Sequence, residues 1–168
     1  MNTIRILFVD KNPLIRKAWH FLLKQNARYQ VLATCESGEM AIELAKKLSP
    51  DIVIIDCSLR GMNGLETTQL IRRYSPSTRV IGLSYDTHAD IAYKILLSGA
   101  HGCLSKMSYP DEIYHTITEV QNGRKYICKE MREEHWVDVP VERISSPSIL
   151  REKIMTMNKP RLQEYSVV

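Results

Sequence analysis

The sequence predicts an α/β fold of the doubly wound kind, a parallel sheet with helices on both faces and a short C-terminal appendage. Two observations predict it. Five short apolar runs alternate with amphipathic, helix-like segments through about residue 122. The runs are also nearly continuous in hydrophobicity, as strands covered on both faces require.

The first run, "IRILFV" at 4–9, leads into Asp10, and Asn12 with Pro13 then supplies a cap and a first helical residue. Leu14, Ala18 and Leu22 read as the apolar stripe of that helix. The second run, "YQVLATC" at 29–35, precedes Ser37, a cap for a helix whose stripe is Ala41, Leu44, Ala45 and Leu48. "DIVIID" at 51–56 is the third strand and "NGLETTQLIRRY" the third helix. "RVIGLS" at 79–84 and "THADIAYKILLSG" make the fourth pair. "GCLS" at 102–105 is the fifth strand. Ser108 with Asp111 resembles a capping box for a helix carrying Ile113, Ile117 and Val120, which Asn122-Gly123 ends.

Beyond Gly123 the pattern breaks into mixed charge without a clean period, with a short helix expected at 148–158. We therefore divide the chain into a domain at 1–123 and an extension at 124–168. A net charge of +4 among 168 residues is too slight to indicate nucleic acid by itself. No apolar run reaches the length of a membrane span, and no signal peptide is visible. Cys35, Cys57, Cys103 and Cys128 are far apart and form no CxxC pair, so reduced thiols in a cytoplasmic protein are expected rather than disulfides or zinc.

In doubly wound sheets, functional groups collect at the carboxyl ends of the strands. Here those ends carry Asp10, Asp56, Ser84 and, one residue beyond the fifth strand, Lys106. Two acids, a hydroxyl and an amine thus converge from four strands.

At this point a resemblance becomes specific. "DIVIIDCSLRGMNGLE" looks like the phosphoacceptor strand and loop of bacterial two-component response-regulator receiver domains. "VIGLS" resembles their hydroxyl-bearing strand and "GAHGCLSK" their last strand with its lysine. "DKNPLIR", with "NGRKYI" after the last helix, is most similar to the NarL/LuxR-type branch. The resemblance covers roughly residues 3–128. It implies a flavodoxin-like (CheY-like) five-stranded sheet of order 2-1-3-4-5. It also implies that Asp56 accepts a phosphoryl group from a histidine kinase or a small donor, that Lys106 binds a phosphoryl oxygen, and that Ser84 donates to it and shifts. Asp10, Asp56 and the Ser58 carbonyl would hold Mg2+.

Three departures qualify what the resemblance implies. Receivers usually carry a second acid where this chain has Lys11, a change of two charge units beside the metal. A unit pair about 4 Å apart is worth roughly 4 kcal/mol at an effective dielectric of about 20, so Mg2+ is doubtful. Lys11 either swings into solvent or takes the cation's place and pairs with Asp10 and Asp56. We favour the second. Cys103 stands at the switch-aromatic position, and Leu59-Arg60 replaces the usual Met-Pro. Asp86 lies where the family tunes water access, and otherwise reads as a helix cap. Lastly, the extension is too short for a complete helix-turn-helix output domain, and its arginines are interspersed with glutamates, so DNA binding by this chain is not expected.

The expected function is phosphorelay signalling and switching of protein contacts, with a homodimer or another protein as partner. The alternative is a phosphorylation-independent pseudo-receiver in which Lys11 replaces the cation. An unrelated flavodoxin-like enzyme or ligand-binding domain ranks third, because no GxGxxG follows the first strand. Enzymatic activity extends at most to self-phosphorylation and autodephosphorylation.

Overall fold

The structure is a computed structural model and describes residues 3–132. Six parallel strands form one sheet of order β2-β1-β3-β4-β5-β6. They are β1 (Ile4–Val9), β2 (Tyr29–Cys35), β3 (Ile52–Asp56), β4 (Arg79–Ser84), β5 (Gly102–Ser105) and β6 (Tyr126–Ile127). Between them lie α1 (Pro13–Lys24), α2 (Gly38–Leu48), α3 (Gly64–Tyr74), α4 (Ala89–Leu97) and α5 (Pro110–Gln121), and a 3-10 turn follows at Lys129–Met131. The helix expected at 148–158 lies outside the described residues.

β1 and β3, both interior strands, read as unbroken apolar runs because both faces are covered: Ile6, Leu7, Phe8 and Val9, then Ile52 to Ile55, are all fully buried. Caps form as expected at Asn12, whose side chain accepts from Leu14 N–H, and at Ser37, which accepts from Met40 N–H. Asn63 does the same for α3.

Three expectations are corrected. The buried face of α1 is not the Leu14–Ala18–Leu22 stripe: Leu14 is 70% exposed, while Trp19 and Leu23 turn inward. Trp19 stacks on Phe8 of β1 with ring centroids 5.0 Å apart, and the large ring sets the helix's rotation. Ser108 does not cap α5. Pro110 takes the first turn and places the cap position at Tyr109, one residue too late for the serine.

The third correction is the sixth strand. β6 pairs in parallel with β5, Gly102 opposite Tyr126 and Cys103 opposite Ile127. Its connection is unusual in hand. A Cβ on Gly82 would strike Ile95 of α4, whereas one on Gly102, opposite Ile81, would strike Val120 of α5. Adjacent residues in register thus put α4 and α5 on opposite faces. α1 shares the α5 face, since the Tyr114 hydroxyl donates to the Leu22 carbonyl at 3.1 Å. β5–α5–β6 steps outward in the same direction as β4–α4–β5, but over the other face, so its hand is opposite. About 98% of such crossovers are right-handed, yet a strand of two residues carries too little twist to enforce that rule.

Candidate functional site

All four strand-end groups meet at one edge of the sheet. Asp10 directly follows β1, Asp56 ends β3, and both are fully buried. Lys106 reaches in from the end of β5 with its side chain only 4% exposed, its Nζ 2.7 Å from Asp10 Oδ2 and 3.1 Å from Asp56 Oδ2. The Asp10 contact is an aligned hydrogen bond. The Asp56 contact is an ion pair without that alignment, which leaves Asp56 Oδ2 a buried oxygen with no hydrogen-bond donor.

The remaining oxygens are held by local backbone. Asp10 Oδ1 accepts from Asn12 N–H at 2.8 Å, and Asp56 Oδ1 accepts from Ser58 N–H at 2.9 Å. Each carboxylate is thereby oriented by a turn two residues long. The loop after Asp56 is pinned by close approach: a Cβ on Gly64 would lie 2.1 Å from the Asp56 carbonyl oxygen and 2.7 Å from Cys57 Cα.

Burial alone would lower the Lys106 pKa, but the hydrogen bond it donates to Asp10 and the negative charges of Asp10 and Asp56 outweigh it and raise the pKa above the usual lysine value. Two carboxylates against one ammonium leave the buried cluster one negative charge in excess. Such a cluster attracts a further cation or a group that removes charge from Asp56.

The structure places Lys11 differently from the favoured expectation. Its Nζ donates to the Ser58 carbonyl at 2.5 Å, while the ion pairs of Asp10 and Asp56 among the described residues are with Lys106. Lys106 enters from a buried strand end and takes the carboxylates. Lys11 is on the exposed rim and bridges to the loop. Lys11 thus occupies one of the three oxygens expected to hold Mg2+.

A divalent ion of this kind needs about six oxygens in near-octahedral order. Here two carboxylate oxygens face Lys106, two are bound by backbone N–H groups, and the carbonyl is bound by Lys11. As arranged, the residues do not fit Mg2+, and no group of three or more acidic, histidine or cysteine side chains among the described residues could hold a metal.

Ser84, 5% exposed, ends β4 and accepts from Asp86 N–H at 3.0 Å. Asp86 in turn accepts from His88 N–H at 3.0 Å and faces His88 Nδ1 at 2.6 Å. Cys103 is fully buried, its thiol 3.6 Å from the Ala92 carbonyl, and has no path to the surface. Burial pushes the Cys57 thiol, beside Asp56, up to about 12, so it is inert.

Sequence reasoning missed two residues. Arg16 reaches back from α1 to donate to the Asp10 carbonyl at 2.7 Å, as helical side chains lean toward the N-terminus. Tyr85 lies with its ring centroid 4.9 Å from Lys106 Nζ. Its adjacency to Ser84 was the available clue. Beside the cluster opens a hollow of about 600 Å³ lined by Lys11, Asn12, Pro13, Glu36, Ser37 and Arg60.

The profile of the response regulator receiver domain matches residues 6–118. The response regulator UvrY of Escherichia coli is 30% identical over 131 residues, covering 78% of this chain and 60% of that protein. The transcriptional regulatory protein DegU of Brevibacillus brevis is 33% identical over 127 residues, covering 75% and 53%. The signal receiver domain of a NarL regulator from Mycobacterium tuberculosis aligns with a TM-score of 0.70 and 30% identity, covering 74% of this chain and all of that one. A LuxR-family response regulator from an Aurantimonas species aligns at 0.74 with 26% identity, covering 91% and 99%. The chain spans about three fifths or less of the curated relatives' length. Receiver domains generally bind Mg2+ at this acidic edge, where the present chain carries Lys11.

Proposed function

The chain belongs to the response regulator receiver family, NarL/LuxR branch, and on that premise we propose that Asp56 is a phosphoacceptor in a two-component relay. One observation carries the reading: Lys106 bridges Asp10 and Asp56 in a buried cluster that holds one negative charge too many. An Asp56 carboxylate oxygen attacks phosphorus. The new O–P bond forms as the donor's P–N bond (phosphohistidine) or P–O bond (acetyl phosphate) breaks, and the leaving group keeps the electron pair. No general base is required, because the carboxylate is already the nucleophile.

Lys106 follows the charge onto a phosphoryl oxygen, preorganised by Asp10. The Ser84 hydroxyl, already accepting from Asp86, keeps its own proton to donate to the phosphoryl group. Its shift pulls the Asp86–His88 turn at the start of α4 and so alters that surface.

Lys11, on the Ser58 carbonyl, supplies a fixed positive charge at the rim and takes that oxygen away from Mg2+. A histidine kinase is the partner expected upstream, and a second copy or another protein downstream. We take 1–123 as the receiver and 124–168 as an extension whose first residues add β6 to the receiver sheet, in a cytoplasmic protein. None of the described helices is long and apolar enough to cross a membrane.

Incubation with acetyl phosphate, with and without Mg2+, tests this by intact mass. The expected result is one hydroxylamine-sensitive phosphoryl increment, absent in Asp56→Asn. No increment under either condition would put the pseudo-receiver reading ahead of this one.

A further inference from the structure

The ammonium of Lys106 is held from two sides by carboxylates, at 2.7 and 3.1 Å. A third side is covered by the Tyr85 ring, whose centroid is 4.9 Å from Nζ. Tyr85 is itself 58% exposed, so core packing does not explain its position. It sits between Ser84 and Asp86, and the Asp86 N–H is what holds the Ser84 hydroxyl. The position three before Lys106, by contrast, carries a buried cysteine bonded to Ala92 of α4.

From these observations we propose that Tyr85 is the positioning residue for Lys106. Its ring face holds the ammonium against Asp10 and Asp56 and shields it from solvent until Ser84 moves. An aromatic face attracts a cation through its quadrupole, and the attraction strengthens where water is displaced. Because Tyr85 and Ser84 are consecutive, a shift of the serine toward an occupied Asp56 also shifts the ring. Lys106 is then freed to follow the phosphoryl oxygen. The link from acceptor to surface thus runs through β4, not through the side chain at 103. The second half of this statement rests on Asp56 being the acceptor; the first half does not.

The test uses the full chain and two variants, Tyr85→Leu and Tyr85→Phe. Lysine acetylation by sulfosuccinimidyl acetate is followed by peptide mass spectrometry, with the Lys106 rate divided by that of exposed Lys24. Tyr85→Leu is expected to raise this ratio roughly threefold to tenfold, while Tyr85→Phe, which keeps the ring, stays at the wild-type value. In parallel, the initial rate of phosphoryl uptake from acetyl phosphate falls by a similar factor in Tyr85→Leu only. A Lys106 ratio that is equal in Tyr85→Leu and wild type overturns the proposal, as does a Tyr85→Phe that behaves like Tyr85→Leu. If no form of the chain takes up phosphate, the acceptor reading falls, while the labelling ratio still decides the role of Tyr85.

Discussion

Two lysines stand at the same edge of the sheet, and their surroundings differ in almost every respect. Lys106 is buried, paired with two carboxylates and covered by an aromatic ring. Lys11 lies in the exposed rim and holds one backbone carbonyl. The same ammonium group is therefore a structural part of the acidic cluster in one place and an adjustable neighbour in the other. Burial decides which: a charge removed from water must be paired, and removing its partner strands the rest.

The sharpest break of this comparison is truncation. Lys106→Ala leaves Asp10 and Asp56 buried without a counter-cation and is expected to cost about 3 kcal/mol in urea unfolding. Lys11→Ala should stay within about 0.5 kcal/mol. Equal losses would erase the distinction. pH separates the two further. The Lys106 pKa is raised on folding, so its stabilisation is complete below the unfolded lysine value near 10.4 and is lost as pH rises through the higher folded value. Alkaline unfolding that Lys106→Met leaves unchanged would contradict this.

Next in size is the metal. Lys11→Asp restores a carboxylate and frees the Ser58 carbonyl, so calorimetric Mg2+ affinity should rise by more than tenfold. Unchanged affinity would mean that Lys11 does not obstruct the ion.

Gly64→Ala probes the scaffold under Asp56, because the added methyl meets Asp56 and Cys57 backbone and has nowhere to go. A loss of about 1–3 kcal/mol is expected, with slower phosphoryl uptake. The smallest effect lies on the exposed turn beyond Ser84. Hydrogen bonding to Asp86 raises the His88 pKa, so the pair is formed from the acid range in which Asp86 ionises up to about pH 6.5, and is lost as pH rises through the raised value. An NMR titration should find His88 above the usual histidine value in the wild type and back at it in Asp86→Asn.

Much of this was legible in the chain. The five strands were readable because buried parallel strands leave uninterrupted apolar runs, and β1, β2, β4 and β5 begin and end where those runs do. The acidic edge followed, since strand ends in this topology converge. What escaped depended on contacts distant in sequence. The rotation of α1 is set by Trp19 meeting Phe8, which no helical period reveals. The partner of Lys11 was misjudged because Lys106, 96 residues from Asp10 in sequence, had already taken the carboxylates. Arg16 gave no signal until the fold brought it to the site, and Tyr85 only its adjacency to Ser84.

The small β6 strand has a consequence for the edge of the sheet. β5 is only four residues long, and without a neighbour its outer N–H and C=O groups would form an open template for another chain. Tyr126 and Ile127 pair with half of it, and Cys128 and Met131 lie buried just beyond. A protein cut after Gly123, at the boundary the hydropathy pattern suggests, would lose that cover together with four buried side chains. It should self-associate where one ending at Arg132 stays dispersed. A segment that reads as the start of a linker is thus the guard that keeps this sheet from growing.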